Sequence, residues 1–263
     1  MSPNDDAREL LRYGRQVVFE PLGLSGQRRL AASRAVIVGV GGLGSWIAEL
    51  LARAGAGFLR LVDHDRVELT NIHRQGLYDQ AAAAAGLYKV DAAATRLGAI
   101  NSAAAVEPVR QRLTKENVAA LAGDVDLIVD GTDNFPTRFV LNDFAVRTGR
   151  PWVFAGVVGA QGQTMTIIPP RTACLRCVYD QPPPPCKDPT CAAAGVLGPA
   201  VAAIAAVAAM EALKILSGRG DQASRYLLKM DFWSGAVQRI DATAAAADVP
   251  CRCCKQKLFD FLD

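Results

Sequence analysis

The sequence predicts an α/β protein on one mixed sheet, parallel in its front half and antiparallel in its back half, with helices on both faces. Three observations carry that prediction. Between residues 35 and 129, short apolar runs alternate with helix-length stretches, the pattern of βαβ units. A glycine turn, GVGGLG from Gly39 to Gly44, joins the first run to a helix. After Trp152-Val153-Phe154 the spacing changes to strands punctuated by Gly156, Gly159 and Gly162, as in hairpins. The predicted sheet is therefore Rossmann-like in its front half.

Each element has a local reason. Residues 5–19 carry helical spacing, and 26–32 read as a second short helix. Ala35 to Val38 form a buried strand, and Trp46 to Ala54 keep helical spacing, which places a helix over 44–54. A strand at 58–62 follows, then a loop of acids and arginines, and an alanine-rich helix at 89–100. Val106 to Val109 read as a strand, Glu116 to Ala122 as a helix, and Leu127 to Val129 as a short buried strand ending in DGTDN. A helix spans 138–148, and Thr164 to Ile168 and Tyr226 to Asp231 fit strands of the back half. Gly195 to Met210 contains no charge, but sixteen residues are fewer than the about 20 of a bilayer crossing. A core helix running to Leu216 and ending at Gly218 is predicted instead. The proline-rich stretch 180–190 is a loop, and 241–250 reads as a flexible connector.

Composition bounds the function. A chain of 263 residues suffices for one large unit with a substantial core. A net charge of +3, with basic residues scattered, argues against nucleic acid as a partner. The N-terminus is polar and lacks an apolar signal segment, so a cytoplasmic, non-membrane protein is expected. In that setting the seven cysteines are thiolate ligands or nucleophiles rather than disulfides.

A strand, a glycine turn and a helix N-terminus together make an anion site, because the backbone of Gly41 and Gly42 can approach a phosphate closely. Asp63, nineteen residues beyond Gly44, stands where a ribose-binding carboxylate is expected, and Asp65 faces the same side of an extended segment. Asn71 and Arg74 supply a neutral donor and a fixed cation, and Lys89 a mobile one. Two cations suit a triphosphate better than a pyrophosphate. A solvated position on its helix is the plain alternative for Lys89. Asp133 follows a strand at the carboxyl edge of the sheet, where a carboxylate can hold Mg²⁺ on phosphates. Its alternative role, shared with Asn134, is to cap the helix that carries Arg138 and Asn142.

The cysteines give the second signal. Cys174-Leu-Arg-Cys177 and Cys251-Arg-Cys-Cys254 each contain a CxxC, with 73 residues between them. Cys174, Cys177, Cys251 and Cys254 can supply four thiolates to a structural Zn²⁺ that staples the tail to the body. Cys253 could replace Cys251 or Cys254.

With these residues in place, the chain resembles the ubiquitin-activating-enzyme-like superfamily, in its bacterial ThiF/MoeB/HesA branch. The likeness runs from LRYGRQ at 11–16 through GVGGLG, DHD, NIHRQ, TDN and the first CxxC, then TCAAAGVLGP at 190–199 and MEALKILSG at 210–218, to the last CxxC. It implies a single adenylation unit: a helical arm at 1–33, a nucleotide-binding half at 34–150 and a carrier-binding half at 151–263. It implies that ATP is used to adenylate the C-terminal Gly-Gly carboxylate of a small ubiquitin-fold sulfur-carrier protein, releasing pyrophosphate. Asp63 then holds the ribose, Asn71, Arg74 and Lys89 the phosphates, and Asp133 the Mg²⁺. Arg15 reaches the neighbouring subunit's site, so a homodimer is implied. Cys191 lies where some relatives form a covalent link to the activated carrier, and the sulfur donor is a separate protein.

Other readings compete. An NAD-dependent oxidoreductase accounts for the glycine turn and Asp63, but leaves Arg15, Arg74, Asp133 and the cysteine pairs without a role. A non-catalytic carrier-binding scaffold would show loss of the Asp or Arg cluster. A tRNA-modifying dehydratase relative would lack the paired CxxC and show a basic surface. Molybdopterin, thiamine and related pathways are not separated by these residues.

Overall fold

The structure, a computed structural model, describes residues 11–182 and 194–263. Eight strands form one sheet in the order β3-β2-β1-β4-β5-β6-β7-β8. They are β1 (Arg34–Val38), β2 (Phe58–Val62), β3 (Ala105–Val109), β4 (Leu127–Asp130), β5 (Trp152–Val158), β6 (Gln161–Ile167), β7 (Tyr226–Asp231) and β8 (Ala236–Asp241). β1 to β5 run parallel, and β5 to β8 pair antiparallel, so the predicted change of pattern falls at β5.

The front strands alternate between two apolar faces. Ala35 and Ile37, Leu127 and Val129, and Val153 and Ala155 enter one core; Val36 and Val38, Ile128, and Trp152 and Phe154 enter the other. Strands apolar on both faces need helices above and below. On the first face lie the helices Gly42–Ala54, Lys89–Ile100 and Gly198–Leu216; on the second lie Val118–Ala122 and Phe135–Thr148.

The 19-residue helix Gly198–Leu216 is long and apolar enough to cross a membrane, but half of that apolar window is buried in the protein. It packs against the Gly42–Ala54 helix and against β5 and β6, the core position read from the sequence. Its N-terminus is seated so closely that a Cβ on Gly198 would meet the His73 carbonyl oxygen at 2.5 Å.

Strand order reverses between β1 and β4: the chain leaves β1 for β2 and β3, then returns to β1's other side. Ligands of open α/β sheets bind at the carboxyl ends of the strands at such a switch point. Here the glycine turn and the Gly131-Thr132-Asp133 segment meet there. A Cβ on Gly131 would lie 2.2 Å from the Gly39 carbonyl oxygen, and one on Gly44 would lie 1.9 Å from it. Gly39 itself has φ +81.

The back of the chain departs from expectation. The segment 241–250 is not a loose connector: Asp241 caps the helical turn Ala242–Ala245 by accepting the Ala244 N–H at 3.0 Å, and Ala242 and Ala246 are buried. A run of alanines behind a capping aspartate favours helix over open coil. β8, whose residues are nearly all exposed, has no apolar face to announce it and is paired through β7 alone.

Gly131→Ala is expected to lower stability by more than about 2 kcal/mol. Gly98→Ala, on an open surface of the Lys89–Ile100 helix where a Cβ meets nothing within 4 Å, should raise it by roughly 0.5–1 kcal/mol. Denaturant melts of both variants measure this, and equal effects would contradict the packing described.

Candidate active site

At the switch point lies a cavity of about 710 Å³ lined by residues of both halves of the chain. Every nucleotide-site residue read from the sequence lines it: Gly41, Gly42, Asp63, Asp65, Asn71, Arg74, Lys89 and Asp133.

The floor is the helix Gly42–Ala54, with Gly41 at its N-cap and no acidic side chain in its first turn. Its leading amides have no partner within the helix, and its dipole is positive at this end. Asp63, buried at the end of β2, ties the turn to the strand. One carboxylate oxygen accepts the Val40 N–H at 2.7 Å and the other the Asp65 N–H at 2.9 Å.

Lys89 is not a solvated surface residue. It is buried (6% exposed), and its ammonium donates to Asp65 Oδ2 at 2.8 Å. It opens the Lys89–Ile100 helix, where the dipole disfavours a cation, so the sequence has placed a buried charge where helix stability alone would exclude it. Burial pushes the Asp65 carboxyl up, but the hydrogen bond and charge of Lys89 outweigh it and hold the group below the usual carboxylate range.

Arg74 is fixed by its loop. Its guanidinium donates to Asn71 Oδ1 at 2.5 Å and to the Thr70 carbonyl at 3.2 Å, and lies 2.8 Å from His73 Nε2. The Trp46 indole donates to the Arg74 carbonyl at 3.2 Å, anchoring the loop on the glycine-turn helix.

Asp133 is exposed to the cavity and has no hydrogen-bond or ion-pair partner among the described residues. The cap that the sequence left open between Asp133 and Asn134 belongs to Asn134, whose side chain accepts the Thr137 N–H at 3.0 Å. Asp133 is thereby left to face the cavity.

Arg15 stands apart. In the helical segment 11–17, Arg12 donates to Asn101 Oδ1, the Tyr13 hydroxyl accepts from Asn101, and Gln16 bonds Gln27 and the Ala54 carbonyl. These contacts fasten the arm to the body. Arg15 is exposed and does not line the cavity of its own chain.

Several cavity residues were not singled out by sequence. Arg138, Arg112, Gln75 and Tyr179 line it. Gln75 is buried with its side-chain carbonyl oxygen unpartnered among the described residues. Its place in NIHRQ, beside Arg74, was the available signal.

The four predicted sulfurs converge. Cys174 Sγ lies 3.8 Å from Cys177 Sγ and 3.6 Å from Cys251 Sγ, and Cys177 Sγ lies 3.4 Å from Cys254 Sγ. All four fall within 4.8 Å of one another. A tetrahedral zinc with bonds of about 2.3 Å sets its sulfurs about 3.8 Å apart, so the cluster fits that ion. Cys253 lies outside that set of four: it is buried and accepts the Asn142 side-chain amide at 3.3 Å. The arginines inside the two knuckles share one carboxylate, with Arg176 at 2.8 Å and Arg252 at 2.7 Å from Asp260. Cys191 and Cys186 lie outside the described residues.

The ThiF family profile matches residues 13–253. The chain belongs to the ThiF family. This ThiF-family chain is 39% identical over 251 residues to the sulfur carrier protein ThiS adenylyltransferase of Bacillus subtilis, covering 95% of this chain and 73% of that protein. It is 40% identical over 237 residues to the sulfur carrier protein adenylyltransferase of Thermus thermophilus, covering 88% and 87%. The adenylyltransferase and sulfurtransferase MOCS3 of Sus scrofa is 41% identical over 249 residues, and the match spans 54% of its length. Among solved structures, MccB of E. coli shares the fold with a TM-score of 0.79 at 21% identity, covering 92% of this chain and 72% of that one.

Replacing Lys89 by Met should raise the Asp65 pKa, because the charge that holds it down is gone. Side-chain carboxylate NMR titration reads this directly. In the native protein the stabilisation from this pair is present above the ordinary carboxylate pKa and is lost as pH falls through the lowered folded value. An unmoved Asp65 would show that the pair does not form in solution.

Proposed function

We propose that the cavity binds ATP and that the chain is an adenylyltransferase acting on the C-terminal carboxylate of a small ubiquitin-fold sulfur-carrier protein. The observation that carries this reading is the convergence, on one cavity, of a helix N-terminus, a buried ammonium, a fixed guanidinium and a carboxylate with no partner among the described residues. A dinucleotide oxidoreductase has no use for that set, and a non-catalytic scaffold would have lost part of it. The names of the Bacillus and Thermus relatives support the same activity.

In this reading Asp63 receives the ribose hydroxyls, and the Gly41–Gly42 amides take the phosphates. Lys89 exchanges part of its contact with Asp65 for phosphate oxygens, while Arg74, set by Asn71, neutralises charge on the departing pyrophosphate. A carboxylate oxygen of the carrier's Gly-Gly terminus attacks the α-phosphorus, and the bond from that phosphorus to the bridging oxygen breaks. The products are an acyl-adenylate and pyrophosphate. Positioning and charge neutralisation account for most of such catalysis. Asp133 would hold Mg²⁺, which draws negative charge from the phosphate oxygens. Cys174, Cys177, Cys251 and Cys254 would hold Zn²⁺, which cross-links the tail to the body. Arg15, exposed and without a partner among the described residues, would complete a second copy's cavity, so the active form is a homodimer with two composite sites. Sulfide-level sulfur from a separate donor protein attacks the acyl carbon of the adenylate and AMP leaves, giving the thiocarboxylate, and the single adenylation unit divides into the nucleotide-binding half at 34–150 and the carrier-binding half at 151–263. A covalent link through Cys191 is kept as part of this proposal.

Pyrophosphate should exchange into ATP only when a Gly-Gly-ended carrier is present, and no exchange with any carrier of the source genome would overturn the activity. Asp133→Ala should abolish exchange with the zinc content unchanged. Cys254→Ser should release bound zinc, measured by metal analysis, while Cys253→Ser retains it; the reverse result would reassign the ligand.

A further inference from the structure

A buried ion pair adjoins the turn that carries Asp133. Asp130, the last residue of β4, is wholly buried, and Arg138, eight residues on, is 5% exposed. Burial pushes the Asp130 carboxyl up against the charge of Arg138. A buried pair of this kind brings little net stability, because desolvation offsets its attraction. Its contacts instead define the geometry of one turn. Asp130 Oδ1 accepts both the Thr132 N–H at 2.8 Å and the Thr132 hydroxyl at 2.6 Å, and Oδ2 accepts Arg138 Nε at 3.0 Å. Arg138 Nη2 donates to the Thr132 carbonyl at 2.6 Å and to the Ala155 carbonyl of β5 at 3.2 Å. Thr132 is thus gripped through its amide, its hydroxyl and its carbonyl. The guanidinium lies 5.1 Å from the ring centroids of both Phe135 and Phe154. On the other side, Gly131 rests against the Gly39 carbonyl of the glycine turn.

We infer that Asp130 and Arg138 are positioning residues for Asp133, holding the 131–133 turn so that its carboxylate meets a magnesium-bound triphosphate. The inference rests on the nucleotide reading above. The planar fork of arginine is needed because three acceptors, on β4, on the turn and on β5, must be met at once. A lysine at 138 keeps the charge and cannot meet all three. Loss of a group that orients a metal-binding carboxylate costs about ten- to a hundredfold in metal affinity.

The test is Mg·ATP binding to the intact, zinc-loaded protein by isothermal titration calorimetry, without carrier. The native protein is expected to bind Mg·ATP more tightly than ATP in EDTA. Arg138→Lys should weaken Mg·ATP binding by about ten- to a hundredfold and leave binding in EDTA largely unchanged. The Asp133→Ala/Arg138→Lys double variant should bind no more weakly than Asp133→Ala alone, because the arginine acts through that carboxylate. Thr132→Val, which removes only the hydroxyl bond, should weaken Mg·ATP binding in the same direction by less and serves if Arg138→Lys does not fold. Native-like Mg·ATP affinity in these variants, or additive losses in the double variant, would overturn the inference. A native protein that does not bind Mg·ATP would overturn the nucleotide reading itself.

Discussion

The site depends on one close approach of backbone to backbone. The Gly39 carbonyl sits where side chains on Gly44 and on Gly131 would otherwise stand. That contact brings the turn after β1 and the turn after β4 together at the point where strand order reverses. A helix N-terminus and an acidic segment, distant in sequence, therefore share one cavity. Glycine here supplies space more than flexibility: Gly44 and Gly131 have no unusual φ, and only Gly39 requires the left-handed region.

Given that contact, the cavity's charges are held by one another. Lys89 leans on Asp65 and Arg74 on Asn71. Cations fixed in this way need little reorganisation to meet a phosphate, and that is how an electrostatic site gains its effect. Asp133 is the exception. Its neighbour Asn134 takes the helix cap, and the carboxylate has no partner among the described residues at the cavity wall. An acid without a cationic partner beside a helix N-terminus is the arrangement on which the proposed Mg²⁺ site rests.

Much of this was legible in the sequence. The glycine turn, the βαβ alternation and the two CxxC pairs have local signatures that tertiary structure did not override, and Phe58–Val62, Lys89–Ile100 and Tyr226–Asp231 fall where their spacing placed them. The fate of Lys89 was not legible, because nothing local separates a buried lysine from a solvated one at the start of a helix. Its partner lies 24 residues away across a turn. Arg138 was visible only as a helical neighbour of Asn142, since its acceptors lie on β4, on the turn and on β5. β8 left no mark, because an exposed edge strand has no buried face to impose alternation. The Ala242–Ala245 turn was missed because a short alanine run reads equally as linker or helix until the cap is seen.

The helix Phe135–Thr148 connects the two chemical centres. Its first turns carry Asn134 and Arg138 at the cavity. One turn beyond Arg138, Asn142 accepts the Leu175 N–H at 2.8 Å inside the first knuckle and donates to Cys253 Sγ in the second. Asp143 beside it faces the buried Arg176 at 3.4 Å and accepts the Phe261 N–H at 3.2 Å. Both knuckles and the C-terminal tail are therefore docked on the same helix that frames the nucleotide end. Residues 77 positions apart in sequence meet at the sulfur cluster, and closing so long a loop without a cross-link costs several kcal/mol of chain entropy. A metal held by the four thiolates, as proposed above, would offset that cost at the place where the helix needs a fixed seat.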